Sequence, residues 1–574
     1  MRLRTYLLII FFIGIALFAR GLPNEFVGDD ELQILQNTKV HSIANLPAFF
    51  SGSTYETAGG TAITGIFYRP VMMTIFSLLY SIGGPNPLLF HFTQVLLHIL
   101  VTMCLFFFLC KFFPDIGAFL LSLIFLVHPA NSEAVLYSAN LQEVLFLLFG
   151  MLALLLVQKN APYSVSLRKE KTSWHIWCIP MLLLLSLFSK ESGILFLVIV
   201  PLYGWIFDKK RFRFLLTGSA ITFGVYLFFR YVIAHMYGAN TSLAPIANLH
   251  VLQRLMHIPI IILYYVMLFF YPVELLVFQY WTISTISLGN FWLPLFIDIG
   301  FFTLLIVGYM WTAKQYPAHK KIYLFFALWF VIGLGFHLQI LPLDVTVADR
   351  WFYFPIVGLL GLLGVVASQL QLAKRTKIQV VGIGTLSILL LLLSLRTYTR
   401  IADWHNDLTL FGHDSSTQSN YILDNSYGAA LIQDGQFEKA KKYVITSMRK
   451  HPYTANINNM AIIFVSEGNI SKAKEYFQKA IGTGQTYSLY ENYANFLLYY
   501  DSPNSALEFS QKALIIYPQS PKLLLIFGEA EYIQGDKDKA LRAVARSYEI
   551  LPDGKTLNIF TTMQQRKPLS LKHN

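Results

Sequence analysis

The chain has 574 residues, room for three or four ordinary domains. However, 55% of them are hydrophobic, 16% aromatic and only 13% charged, about half the usual charge and too little to cover a soluble surface of this size. Residues 1–397 hold 25 Lys and Arg against 15 Asp and Glu, whereas residues 398–574 hold 19 against 17; the front excess stands in short clusters between apolar runs, the positive-inside pattern of a membrane protein rather than the face of a nucleic-acid binder.

Arg2 and Arg4 precede an apolar run from Tyr6 to Phe18 with no small-residue cleavage site behind it. It reads as an uncleaved first span with its N-terminus inside. Further stretches long enough to span lie near 86–112, 115–129, 140–158, 174–189, 191–207, 214–236, 255–276, 291–313, 322–342, 351–372 and 378–396, with a shorter interfacial helix near 70–82. Basic clusters mark the cytoplasmic side: Lys159 with Arg168, Lys169 and Lys171; Lys209, Lys210, Arg211 and Arg213; Lys314, Lys320 and Lys321; Lys374, Arg375 and Lys377. Parity between the second and third clusters requires one of three candidates there to be re-entrant or interfacial. The choice falls on 255–276, which carries Pro259 and Pro272. About 11 crossings then remain and the tail lies outside the cytoplasm; if all 12 cross, it lies inside. Three cysteines, Cys104, Cys110 and Cys178, sit within apolar stretches and match no metal or disulfide pattern.

The tail repeats. Ala440, Ala473, Ala506 and Ala540 recur every 33 or 34 residues, each preceded twelve residues earlier by Gly428, Ala461, Ala494 or Gly528. Gly435, Gly468 and Gly535 mark turns, and Pro452, Pro518 and Pro552 end helices. This resembles the tetratricopeptide repeat (TPR), a helix pair whose members cross closely at small residues. Four units fill 421–553, with DSPN replacing the turn glycine in the third. Residues 398–420 read as a linker with a packing helix, and 554–574 as a polar tail. The stack is either a groove for a peptide or partner or a spacer, and it should be soluble and helical by itself.

Ionisable residues near membrane depth mark functional cavities. Five groups fall opposite the basic loops. Asp29, Asp30 and Glu31 are consecutive in the first loop, as a candidate general base or a solvated cap. Arg69, in YRP, could pair with them or hold a phosphate. His128 and Glu133, in HPANSEAV, fit a helix boundary as well as a site. Lys190 and Glu191, in the tight turn SKES, either pair with each other or meet a lipid phosphate. Asp349 and Arg350, in ADRWFYFP, stand at the mouth of a later span, where Arg350 could anchor or bind an anion. There is no P-loop, HExxH, Gly-x-Ser-x-Gly or zinc spacing.

In order, FVGDD, YRPVMMTIFSLLY, FHFTQVLLH, VHPANSEAV, SKESG and ADRWFYFP, followed by the repeats, resemble the transmembrane-and-TPR-containing protein O-mannosyltransferases and their prokaryotic relatives of the GT-C fold. The resemblance implies an all-α chain: a polytopic GT-C-like glycosyltransferase domain over 1–397, of about 11 spans, followed by a TPR α-solenoid. It also implies a polyprenyl-phosphate-linked sugar donor, a site outside the cytoplasm, a hydroxyl acceptor on protein, Asp29 or Asp30 as catalytic base, and no cofactor or metal. Glu31, Arg69, His128, Glu133, Lys190, Glu191, Asp349 and Arg350 would line the substrate site. The membrane would be the plasma or inner membrane of a prokaryote, or the endoplasmic reticulum of a eukaryote. The expected partners are the lipid-linked donor, a protein or peptide held by the repeats, and the bilayer, without nucleic acid. Two other readings are a polyprenyl-sugar transferase acting on an envelope glycan or lipid, and a non-enzymatic anchor for a TPR scaffold.

Overall fold

A computed structural model describes residues 2–55, 67–159, 177–237, 244–372 and 376–569, with the side chains at 2, 159 and 370–383 not described. Arg168, Lys169, Lys171, Lys374 and Arg375, expected to mark the cytoplasmic side, lie outside the described residues. The chain divides into two units. The first takes in the chain up to Asp30, Ile43–Thr54 and the stretch to Gln418; the second takes in Glu31–Ser42, Tyr55 and the tail from Ser419.

The first unit is helical: α1 Arg2–Phe18, α2 Pro70–Gly83, α3 Pro87–Leu109, α4 Asp115–Val127, α5 Ser132–Leu136, α6 Leu141–Lys159, α7 Cys178–Ser189, α8 Ile194–Phe207, α9 Lys209–Leu227, α10 Ile258–Phe270, α11 Leu293–Gln315, α12 Lys320–Gly335, α13 Pro355–Leu372, α14 Thr376–Asp403 and α15 Asp407–Thr417. Prolines open α2, α3 and α13, where a missing N–H costs nothing and the fixed φ already suits a helix. Among the described residues the only β pairing is a bridge between Gln279 and Val347.

Among the described residues, seven helices are long and apolar enough to cross a membrane, and α4 with the segment Pro129–Leu136 makes an eighth if that pair, bent by 53°, counts as one span. The apolar helices Cys178–Ser189 and Glu191–Phe207 fall short of that length, and the sequence count of about 11 includes them. Val251–Phe270, within the stretch chosen as re-entrant or interfacial, is long and apolar enough to span, and a sharp bend falls at His128, where a proline follows and ends α4. Helix α11 exposes Phe296, Leu304 and Met310 by 64%, 71% and 64%, as a lipid-facing surface does and a soluble one does not. Inside, α12 and α8 interlock through rings: Trp329 meets Phe196 edge-on at 5.9 Å and stacks on Phe354 at 4.9 Å, and its indole N–H donates to the Phe354 carbonyl at 3.0 Å. The high aromatic content is thus partly interhelical packing.

Most of 398–420, read as a linker with a packing helix, is helix. Helix α14 runs unbroken to Asp403 and α15 follows after three residues. Arg400 of α14 donates to both Asp414 oxygens, at 2.8 and 3.2 Å. That carboxylate also accepts from the Val277 amide at 2.9 Å, so this junction is braced rather than loose.

The second unit stacks four helix pairs: α16 Tyr421–Gln433 with α17 Phe437–Lys450, α18 Thr454–Ser466 with α19 Ile470–Thr483, α20 Tyr487–Phe496 with α21 Pro503–Ile516, and α22 Pro521–Gln534 with α23 Lys537–Ile550. The repeated alanines 440, 473, 506 and 540 are fully buried. A Cβ on Gly428 or Gly528 would lie 2.7 or 2.6 Å from Val444 or Val544, so the small-residue repeat records where paired helices touch. Gly435, Gly468 and Gly535 have φ of 74°, 72° and 102°, the left-handed region that ends a helix. The third turn manages without glycine because Ser502 caps α21, its hydroxyl accepting from the Ser505 amide at 3.1 Å.

Two features of this unit differ from expectation. Residues Gly554–Gln564 form a further helix, α24, whose Met563 joins Leu525, Tyr532 and Val544 in one apolar cluster. The segment Glu31–Ser42, read as part of the first loop, belongs here. Its Ile34 and Val40 are fully buried, Gln33 donates to the Tyr55 hydroxyl at 2.5 Å, and the His41 ring bonds the Ile34 carbonyl at 3.0 Å and meets the backbone of Ile550. Burial holds that imidazole below its usual range.

Candidate active site

The first loop is shaped by its glycine. Gly28 has φ of 52°, and a Cβ there would sit 2.7 Å from the Tyr137 hydroxyl, so both backbone and space demand glycine. The turn separates two adjacent acids. Asp30 points inward and is fully buried, one oxygen accepting from the Ala139 amide at 2.5 Å and the other from the Val27 amide at 3.2 Å. Burial pushes its pKa well up; the two N–H donors oppose this, and the charges of Asp29 and Asp407 add to it. Asp29 is half-buried, and its own amide donates to the Tyr137 hydroxyl at 2.6 Å. The structure therefore separates two residues that the sequence left equivalent: both Asp30 oxygens are engaged by backbone. Glu31 falls in the second unit, exposed, accepting from Gln36 at 2.9 Å.

The cations and the other acids assemble into a network. Arg69 caps the start of α2 and donates to Glu191 at 3.3 Å, its guanidinium 4.3 Å from the Phe67 ring centroid. Glu191 also accepts from the Tyr68 amide at 3.0 Å and from Arg230 at 3.2 Å. Lys190 pairs with Glu143. Arg350 pairs with Glu133 through its guanidinium and, at 2.9 Å, through its backbone amide, and its Nε lies 4.0 Å from Glu143. Lys190 feels the charges of both Arg69 and Arg350. Four cations and three carboxylates, drawn from separate parts of the chain, thus share one site.

The stretch from Glu133 to Glu143 joins the two halves. It supplies Glu133 and Glu143 to the cations, and the Tyr137 hydroxyl and Ala139 amide to the aspartate loop. Gln94 of α3 pins it from behind, donating to the carbonyls of Ala134 and Tyr137 at 2.6 and 2.8 Å.

Two more expected members have their side chains engaged elsewhere in the fold. Both His128 ring nitrogens meet backbone, the Phe269 carbonyl at 3.1 Å and the Ala130 amide at 3.3 Å, so the ring fastens the bend after α4. Asp349 accepts from the Tyr264 hydroxyl and, at 3.2 Å, from the Leu276 amide. Burial, with the Glu133 charge adding, raises its pKa. Glu143 and Arg230 were missed in the sequence, although each is a charge at the edge of or inside an apolar run, the signal used for the others. Tyr137 and Asp407, which hold the loop, carry no comparable signal.

No family model matches the chain. Among curated proteins it is 24% identical over 465 residues to the protein O-mannosyl-transferase F38B6.6 of Caenorhabditis elegans, covering 78% of this chain and 63% of that one. It is 24% identical over 462 residues to human protein O-mannosyl-transferase TMTC3, covering 74% and 49%. It is 33% identical over 187 residues to mouse protein O-mannosyl-transferase TMTC1, covering 31% and 19%. The matches thus span less than two thirds of these relatives' own length. Among solved structures, a chain of the APC/C hetero-tetramer Cut9-Hcn1 overlaps 86% of this chain at 11% identity and a TM-score of 0.27, too low to carry an argument. The chain is therefore, over about three quarters of its length, similar to the TMTC protein O-mannosyl-transferases.

Proposed function

We propose that the chain is an integral membrane glycosyltransferase of the GT-C type. It moves a sugar, mannose by the names of its relatives, from a polyprenyl-phosphate donor to a hydroxyl of a protein acceptor outside the cytoplasm. The observation that carries this reading is the Glu133–Glu143 stretch: Tyr137 and Ala139 in its middle hold the loop of the half-buried Asp29, and its two glutamates hold Arg350 and Lys190, beside which Arg69 and Arg230 meet on Glu191. An acid near the acceptor and cations near the departing phosphate are what the transfer needs.

Asp29 takes the proton of the acceptor hydroxyl as its oxygen attacks the anomeric carbon. The bond from that carbon to the phosphate oxygen breaks, and polyprenyl phosphate leaves with the electron pair. The guanidinium groups, already fixed by Glu133 and Glu191, stabilise the anion without reorganising. The donor reaches the site through the bilayer, which is why the catalytic unit is embedded in it. The helix pairs lie on the same side as Asp29 and hold the acceptor polypeptide, raising its effective concentration.

The test is transfer by the purified full-length chain in lipid, from polyprenyl-phosphate mannose to a serine- and threonine-containing polypeptide, read by mass spectrometry. Asp29→Asn should lower turnover by roughly 10²–10⁴ while donor binding survives. Arg69→Ala and Arg350→Ala should weaken donor binding. Wild-type transfer by Asp29→Asn would refute the assignment of the base. Glycan or lipid products in place of mannosylated polypeptide would refute the acceptor.

A further inference from the structure

The loop that carries Asp29 is tied to a segment almost 400 residues away in the chain. The Gly28 amide donates to the Asp407 carboxylate at 2.9 Å, and the Glu25 amide donates to the His405 carbonyl at 2.9 Å. The Tyr137 ring, whose hydroxyl accepts from the Asp29 amide, packs on Trp404 at 5.4 Å. So each peptide group flanking Gly28 donates to a side chain: Asp407 on one side, Tyr137 on the other.

The anchor is itself rigid. Asp407 opens α15, whose preceding Asn406 caps it by accepting from the Thr409 amide at 3.0 Å. Two turns further along, Asp414 is clamped by Arg400 and the Val277 amide, as described above. Phe411, between them, stacks on Phe278 at 6.0 Å. A carboxylate on a helix fixed at two points is a poor shock absorber and a good ruler.

We propose that Asp407 is a positioning residue for Asp29: by holding the Gly28 amide it fixes the left-handed turn and so sets where the Asp29 carboxylate stands. This rests on the reading of Asp29 as the base. The required atom is a hydrogen-bond acceptor, not a charge. Asp407 lies close enough to Asp30 for its charge to be felt there, so a negative side chain adds repulsion, and a neutral acceptor of the same shape would do the positioning as well. Because α15 is the last helix before the repeats begin at Ser419, the same contact ties the aspartate loop to the segment from which the tail departs.

The experiment compares Asp407→Ala, Asp407→Asn and Asp29→Asn in the full-length protein, with kcat and KM for donor and acceptor and hydrogen exchange at the amides of Glu25 to Asp30. A misplacement of order 1 Å costs about a hundredfold in rate. Asp407→Ala should therefore lose between about tenfold and a hundredfold in kcat, with donor KM within about twofold and faster exchange at Gly28 and Asp29. Asp407→Asn keeps the acceptor oxygen and should stay within about threefold of wild type, with the loop still protected. If Asp29→Asn is inactive but Asp407→Ala matches wild type, the positioning role falls alone. If Asp29→Asn transfers at the wild-type rate, the base assignment falls and takes the positioning role with it. Equal losses in Asp407→Ala and Asp407→Asn, with the loop protected in both, would show that the charge acts directly and overturn the proposal.

Discussion

Lys190 pairs with Glu143 and not with the Glu191 that follows it, while Glu191 turns away to two arginines, Arg69 and Arg230. Adjacent residues at a tight turn point in different directions, so the charge pair that looks obvious on paper is divided between two partners. The division knits α6, α7, α9 and the start of α2 together at one place.

That arrangement makes Glu143 expensive to remove. It is 1% exposed and Lys190 7%, so Glu143→Gln leaves a buried ammonium without its counter-charge, a change that costs about 3–5 kcal/mol. The thermal midpoint of the purified protein should fall sharply. A double variant with Lys190→Met should recover most of the loss. Equal midpoints for wild type and Glu143→Gln would show that the pair is solvated.

Asp30→Asn should separate folding from chemistry. The new amide must place its NH₂ against one of the two backbone N–H donors, Val27 or Ala139, leaving a buried donor unpaired at about 1–3 kcal/mol. The midpoint should drop, and by more than in Asp29→Asn, whose side chain is only half-buried. Similar midpoints for the two variants would put both carboxylates in the same environment and remove the distinction drawn between them.

In the repeats, burial raises the Glu529 carboxyl from its ordinary value near 4.5 up to about 7. A raised folded-state pKa means that its contribution is fully present below about pH 4.5 and is lost as pH rises through about 7. Above that the unit carries a buried charge worth up to about 3 kcal/mol. Glu529→Gln should therefore stabilise α22 more at pH 8 than at pH 5, measured as the change in hydrogen-exchange protection of the α22 amides relative to wild type. The same gain at both pH values would refute the shift.

The tail should also be incomplete when it starts at Ser419. Ile34 and Val40 belong to its unit and are fully buried, each worth about 1.5–3 kcal/mol of burial. A tail of residues 419–569 should be helical but gain thermal stability when a synthetic peptide of residues 31–42 is added. No shift at saturating peptide would show that the tail folds without that segment.

The repeats were legible because their physics is local. A small residue every 33 or 34 positions is needed wherever paired helices cross, and the buried alanines and close-packed Gly428 and Gly528 are those crossings. The apolar runs were legible for the same reason, since a span declares itself within some twenty residues. The charge network was half legible. Arg69, Glu133, Lys190, Glu191 and Arg350 stood out as costly charges at the ends of apolar runs. Their partnerships did not, because which carboxylate meets which cation depends on the tertiary path. His128 reads in the sequence as a helix boundary or a site, and its ring fastens a bend. The role of Asp407 and the home of residues 31–42 left no trace in composition or period, since each depends on meeting a partner hundreds of residues away.

The membership of Glu31–Ser42 in the tail's unit has a consequence for biosynthesis. The segment emerges early, but apart from Tyr55 the described rest of its unit begins at Ser419 and is made last. At roughly 5–20 residues per second, Ile34 and Val40 wait about 20–75 s before the tail of their unit begins to be made. Throughout that interval the growing polypeptide presents an unsatisfied apolar segment beside Asp30, a natural client for a chaperone on the side of the membrane where it is released.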